Sequence, residues 1–301
     1  MADLFDPHVI GRVKGLSVRS LRLVESFMAG MHKARLRGIS TEFAQHRAYV
    51  MGDDTRHLDW KVFAKTDRFY VKEYEAETAM QVRFLLDTSP SMFFRSPEAA
   101  MSKFEYAATI VASLAYLLMD QNDAFGLVLF DEKVRSIFPT RGSGSHFRAL
   151  VDGMSHCLRT VPQGKTDVGG ALLTIAPQIR HRGLVFVISD FIADLERLSL
   201  GLGQMSYLGQ DVVLLHVEDP VERDFFFTGQ TLFLGVEQEG KLLCEPRDLR
   251  NAYLAERQRH LGSIRALCLR FGYQLEDMPT DARLDAVLSG LLTLRQARRR
   301  R

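Results

Sequence analysis

A chain of 301 residues that is 46% hydrophobic and 25% charged has a globular composition, long enough for one large α/β domain and a smaller appendage. A net charge of +2 excludes a whole-molecule field aimed at a polyanion, and three distant cysteines without a C-x-x-C pair (Cys157, Cys244, Cys268) exclude a disulfide framework and a zinc site. The cysteines read as buried thiols in a reducing compartment; with apolar runs far short of the ~20 residues of a membrane helix and no signal-peptide pattern, the expected location is cytoplasmic.

The first 80 residues read as a separate N-terminal region, helical and then turn-rich with a β-hairpin character. Its opening stretch, residues 13–38, carries seven basic residues, His32 included, against one acid. The spacing of Leu, Val and Phe there predicts an amphipathic helix that packs one face on a core and leaves Lys and Arg in water. The expected main domain covers residues 81–295. Four short apolar runs mark its strands: VRFLLD (82–87), FGLVLF (125–130), LVFVIS (184–189) and DVVLLHV (211–217). Segments of helical period separate them at 103–120, 145–158 and 168–179. Continuous apolar strands alternating with helices predict a doubly wound, mostly parallel sheet of Rossmann type, covered on both faces. A polar turn at 131–133 predicts one antiparallel edge hairpin. TLFLGVE, a long charged helix over about 247–271, a short strand at YQLEDM and a last helix over about 281–295 complete the domain. The tail over 296–301, which ends in four arginines, reads as a solvated end; no aromatic platform accompanies it to favour nucleic acid.

In an open α/β sheet, ligands gather where loops leave the carboxyl ends of the strands. Asp87 ends the first core strand, and Asp190 follows LVFVIS in the same way. On neighbouring strands ~4.8 Å apart, two carboxylates at ~4 Å would repel by about 4 kcal/mol at an effective dielectric near 20. A proton can neutralise the pair; so can a divalent cation, which the hydroxyls of Ser89 and Ser91 and a threonine would supplement with neutral oxygens. An all-oxygen set of few carboxylates suits Mg²⁺ or Mn²⁺ at a single site, with waters retained. Thr166 stands at a loop-to-helix junction in QGKTDVGGAL, with Asp167 placed to cap the helix.

DTSPSM, the GKTD loop and ISDF together resemble the metal-ion-dependent adhesion site of von Willebrand factor A domains. The resemblance implies a metal set of Asp87, Ser89, Ser91, Thr166 and Asp190, with one coordination position left open for a partner's carboxylate. Upstream, residues 42–77 resemble the signature of domain-of-unknown-function family fifty-eight, with a GDD-x-R-x-x-DW core made of Gly52, Asp53, Asp54, Arg56, Asp59 and Trp60. HVEDPVERDFFF and TDARLDAVLSGLL fit the same family, so the likeness covers nearly the whole chain. It implies a non-enzymatic protein-interaction module that acts beside a MoxR-type AAA+ ATPase in assembling or activating other proteins. Many relatives carry N-terminal membrane helices; this sequence shows none. The acids of the GDD block with Arg56 and the ring of Trp60 form either a structural network or a partner surface.

Rival chemistries fit less well. A phosphoryl-transfer enzyme with Asp87 as nucleophile needs a second acid two residues on, where Ser89 stands. A P-loop ending in GKT at 164–166 would need a glycine where Arg159 stands. GSGSH at 142–146 lacks the G-x-S-x-G elbow and predicts a helix start capped by Ser143 or Ser145. A basic nucleic-acid-binding protein with an empty metal site is the alternative from another class, and steep salt dependence would mark it. His216 at a strand end reads as a structural histidine.

Overall fold

The computed structural model describes residues 7–10, 15–35, 46–48, 63, 69–72, 80–160, 164–227, 229–234 and 240–299. The chain divides into two compact units, residues 29–79 and the remainder. In the smaller unit, β1 (His46–Ala48) pairs antiparallel with β2 (Tyr70–Lys72), and the rings of Phe63 and Phe69 stack at 4.4 Å. The larger unit contains the candidate site.

Its sheet comprises β3 (Gln81–Asp87), β4 (Ala124–Phe130), β5 (Val134–Arg141), β6 (Leu184–Ser189), β7 (Asp211–Glu218) and β10 (Gln274–Pro279). A separate hairpin consists of β8 (Thr231–Leu234) and β9 (Lys241–Cys244). The sheet order is β10-β7-β6-β3-β4-β5, with every pair parallel except β4 with β5. The chain therefore builds outward from β3 to one edge, returns to the middle as β6, and builds outward to the other. This is the doubly wound fold that the alternation of apolar runs predicts. The two central strands, β3 and β6, are the first of each half, so the reversal of strand order falls between them.

The burial of each strand follows from its place. β6 is buried at all six residues, because helices cover both faces, whereas the edge strand β5 is mostly exposed. Side chains alternate between the faces. Leu85, Val185 and Val187 join a core with α5 (Val168–Ile175), α6 (Leu195–Tyr207) and α8 (Pro246–Phe271). Phe84 and Phe186, on the opposite face, stack at 5.7 Å. That second face belongs to α3 (Lys103–Asp120), α4 (Gly144–Cys157) and α9 (Leu284–Arg299). The remaining helices are α1 (Pro7–Ile10), α2 (Leu16–Arg35) and the short α7 (Pro220–Asp224). On α2, Leu16, Leu23, Val24 and Phe27 are buried, and Arg19 reaches the Met101 sulfur at 3.3 Å and Glu105 at 3.7 Å. Of the two candidate caps before α4, Ser143 is the one used: its hydroxyl accepts from the His146 N–H.

Two sequence expectations change. TLFLGVE does not extend the main sheet; its first four residues pair with KLLC, a strand too short to announce itself between turn residues. Only Cys268 is buried, while Cys157 and Cys244 are partly exposed. Cys157 closes α4 ahead of a turn, and Cys244 ends β9 in a two-stranded hairpin outside the main sheet.

One close approach fixes the start of α5. Gly169 packs against the backbone of α6, where a Cβ would run into the Arg197 carbonyl, and a Cβ on Gly201 of α6 would in turn crowd the Gly169 carbonyl. Neither backbone can retreat without unpacking the helix pair. Gly169→Ala is expected to destabilise the fold by about 1–3 kcal/mol, from overpacking, in urea denaturation. A loss below 0.5 kcal/mol would show that the two helices separate freely.

Candidate functional site

The strand order reverses between β3 and β6, and a doubly wound sheet places its ligands at the carboxyl ends of such a pair. β3 ends on Asp87, and Asp190 follows the last residue of β6. The loop after Asp87 is pinned to the neighbouring strand: the Thr88 N–H and hydroxyl both donate to the Phe130 carbonyl, at 2.7 and 2.8 Å. Pro90 then starts a single 3₁₀ turn, Pro90–Phe93, closed by the Met92 N–H on the Ser89 carbonyl. This turn carries Ser89 and Ser91 round to the same side. Their hydroxyls lie 3.1 Å apart, the Ser89 N–H donates to Asp87 Oδ1 at 2.8 Å, and the Ser91 hydroxyl bonds Asp190. Asp87 and Ser89 are wholly enclosed; Ser91 and Asp190 keep only 4% and 5% of their surface.

Ser189 ties the two halves together. Its hydroxyl donates to Asp87 Oδ2 at 2.6 Å and accepts from the Phe191 N–H at 2.9 Å. Phe191 is buried with φ 54°, a left-handed backbone that costs a bulky residue energy unless its surroundings impose it. They do so here: besides Ser189, His260 of α8 meets the Phe191 carbonyl at 2.8 Å through Nε2.

The structure thus gathers Asp87, Ser89, Ser91 and Asp190 into one hydrogen-bonded cluster. Thr166 stands on the next loop and is 8% exposed. The Asp167 N–H holds that loop to the end of β4 through the Asp131 carbonyl at 3.1 Å. Asp167 caps α5 on the Gly170 N–H as its position predicts, and also accepts from Arg197 at 2.6 Å. Gly52, Asp53, Asp54, Arg56, Asp59 and Trp60 lie outside the described residues.

The electrostatics differ from the sequence expectation, which left the carboxylate pair without a protein cation. Lys103, the first residue of α3, is fully buried and places Nζ 2.9 Å from Asp190 Oδ2 and 2.8 Å from both oxygens of Glu222 on α7. Burial favours a neutral amine, but Asp190 and Glu222 together hold Lys103 protonated, above the usual lysine range. For Asp190, burial opposes ionisation, and the charge and hydrogen bond of Lys103, with bonds from Ser91 and the Ile192 N–H, outweigh it. Its pKa falls below the ordinary value. Asp87 has no such cation. Burial and the charge of Asp190 push it up to about 7, against the hydrogen bonds from Ser189 and Ser89. One member of the pair is a fixed anion and the other takes the proton.

Sequence reasoning missed Lys103, Glu222 and Ser189. A signal for Lys103 was present: a cation in the first turn of a helix meets the positive end of the macrodipole, where acids are favoured. Ser102 and Glu105 form a capping box around it, which fixes the helix start there. Such a placement calls for a buried anion nearby. His216 is the structural histidine expected, buried with Nδ1 3.2 Å from Asp277.

The donor set fits a small hard cation. Among the described residues no three acidic, His or Cys side chains converge as metal ligands, so a metal here would rely on hydroxyls beside two carboxylates. Adjacent oxygens around an octahedral Mg²⁺, at about 2.0–2.1 Å from the ion, are about 2.9 Å apart; the two serine hydroxyls, at 3.1 Å, match that spacing. Each carboxylate oxygen keeps a second lone pair for a ligand. Beside Thr88 opens a cleft of about 480 Å³ whose lining includes Phe93, Asp131, Arg135 and His156.

A family model described as "Protein of unknown function DUF58" matches residues 45–262. An uncharacterized protein of Mycobacterium tuberculosis is 24% identical over 194 residues, 63% of this chain, which spans 59% of that relative's length. Among solved structures, an aerotolerance-related membrane protein from Bacteroides fragilis is similar at 16% identity and a TM-score of 0.46, over 71% of this chain and 97% of the other. The SpRpn10 VWA domain is similar at 14% identity and a TM-score of 0.43, over 71% and 95%. The description of a similar domain as a membrane protein overturns the cytoplasmic placement expected from the sequence. No helix among the described residues is long and apolar enough to cross a membrane, and that fact alone assigns no compartment.

Proposed function

This chain belongs to the DUF58 family of proteins of unknown function, and on that premise we propose that it is a non-enzymatic module that binds another protein through a divalent metal. One observation carries this reading: two carboxylates and two serine hydroxyls meet at the switch point of the sheet, with hydroxyl oxygens 3.1 Å apart. The proposed ligands are Asp87, Ser89, Ser91, Thr166 and Asp190, and the proposed ion is Mg²⁺ or Mn²⁺. When bound, the ion supplies an electrophilic position for a carboxylate from the partner.

The chain's own residues do the rest. The 3₁₀ turn after Asp87 presents both hydroxyls without adding charge, so the ion keeps its attraction for an incoming anion. Lys103 keeps Asp190 ionised. Ser189 holds Asp87 by one oxygen. The cleft beside Thr88 gives the segment flanking the partner's carboxylate a place to lie. The family resemblance points to a MoxR-type AAA+ ATPase as the protein beside which the module works in assembly or activation.

Magnesium titrated calorimetrically into the protein is expected to bind at one site, and Asp87→Ala is expected to abolish the heat. Capture of a purified MoxR-type ATPase is expected to fail in EDTA and with Asp87→Ala. Capture that proceeds equally in EDTA and in the variant would overturn the metal-dependent reading.

A further inference from the structure

Lys103 is an unusual residue for its position. It opens an 18-residue helix with a positive charge at the positive end of the macrodipole, and its side chain is entirely buried. Lys is almost never fully buried unless paired. Its two acids come from different places in the chain: Asp190 follows β6, and Glu222 lies on α7, after β7. Glu222 is itself held in place by a capping box with Asp219, and the Asp219 carboxylate accepts from the Ser96 N–H at 3.0 Å. The amine, on a helix that follows β3, is thus anchored by two carboxylates from the β6 and β7 side of the sheet and cannot swing away from Asp190 without breaking both contacts.

We propose that Lys103 is a built-in competitor of the divalent ion: it holds one oxygen of Asp190, keeps metal affinity down, and leaves the loaded site attractive to a carboxylate. This inference rests on the metal-site reading above and concerns a residue outside the ligand set. The charges show why a cation is useful there. Asp87, Asp190 and Glu222 ionised carry three negative charges. A divalent ion alone would leave the enclosed group net negative and repel an acidic side chain from a partner. With Lys103 the loaded group is neutral before the partner arrives, and the ion's open position governs the encounter. The cost falls on the metal, which meets a monovalent cation already seated on one of its ligands.

The test is a calorimetric magnesium titration of four proteins: wild type, Lys103→Met, Glu222→Gln and the double variant. Glu222→Gln provides a background in which the lysine can be removed without stranding a second buried carboxylate, and melting curves establish that each protein is folded. Removing the lysine is expected to tighten magnesium binding at least about tenfold, the Coulomb work between a monovalent and a divalent charge ~6 Å apart at the lower limit of full water screening. The same gain is expected in the Glu222→Gln background. Affinity that is unchanged or weaker on removing Lys103 in both backgrounds, while the wild type still binds magnesium in an Asp87-dependent way, overturns this inference and leaves the metal site standing. Absence of magnesium binding in all four proteins overturns the metal site, and this inference with it.

Discussion

Lys103→Met is expected to lower the stability of the larger unit by about 3–5 kcal/mol at neutral pH without divalent ions, the usual loss when one partner of a buried ion pair is removed. The physical reason is the environment of the partners. Asp190 is nearly sealed from water, and Glu222 is only partly open to it, so neither can recover the lysine's charge from solvent. Met keeps the length of the aliphatic stem, so the loss reports charge more than volume. The pH dependence has a definite sign. With the lysine gone, the two buried carboxylates have folded-state pKa values above their unfolded ones, and such a group loses stability as pH rises through that window. The variant therefore recovers toward wild type as pH falls from 7 to 5. Urea denaturation at several pH values, with Lys103→Met/Glu222→Gln as a partial rescue, checks both points. A loss under 1 kcal/mol that does not vary with pH would mean that water reaches Asp190.

Asp87 gives the second large effect. Its carboxyl titrates at about 7 in the folded chain, against an ordinary value of 3.8. The unfolded chain releases this proton near pH 4 and the folded chain holds it to about pH 7, so between those limits the folded state binds more protons. Its contribution is complete below pH 4 and is lost as pH rises to 7. Asp190, shifted downward, acts in the opposite sense and only below its ordinary value: its contribution is lost as pH falls through the acid range. Asp87→Asn abolishes the first slope. The variant is expected to be more stable than wild type at pH 7.5 by about 2 kcal/mol, a shift discounted for the hydrogen bonds an amide makes less well. That corresponds to roughly 5 °C in melting temperature. The gap is expected to close toward pH 4 and, on the proposed function, to shrink at pH 7.5 when millimolar magnesium is added to the wild type. A melting difference that stays constant from pH 4 to 7.5 would show that Asp87 is ionised throughout.

Much of this arrangement is legible along the chain because it depends on local pattern. Continuous apolar runs such as LVFVIS can be satisfied only where both faces are covered. Their alternation with helices leads to the parallel sheet, and in such a sheet Asp87 and Asp190 must lie at the strands' carboxyl ends. Ser89 and Ser91 follow from their nearness to Asp87. The Asp167 cap and the β4–β5 hairpin are equally local. What escaped the reading is non-local. Lys103 and Glu222 are 119 residues apart, and neither has a spacing that announces the other. Ser189 looks like the last residue of a strand, and its bridge to Asp87 spans 102 residues. The β8–β9 hairpin escaped because runs of four residues are too short for any period to show.

Composition, period and the spacing of oxygen-bearing residues were enough to establish the class of fold, the end of the sheet at which Asp87 and Asp190 lie, and the residues from β3 and its loop that meet there. Short-range sterics and hydrophobic burial act through neighbouring residues, so a one-dimensional pattern carries them. Only the folded chain decided the charge state of that meeting place. Coulomb energy depends on distance and enclosure in three dimensions. A lysine brought in by the start of α3 therefore makes Asp190 the anion and leaves Asp87 to hold the proton.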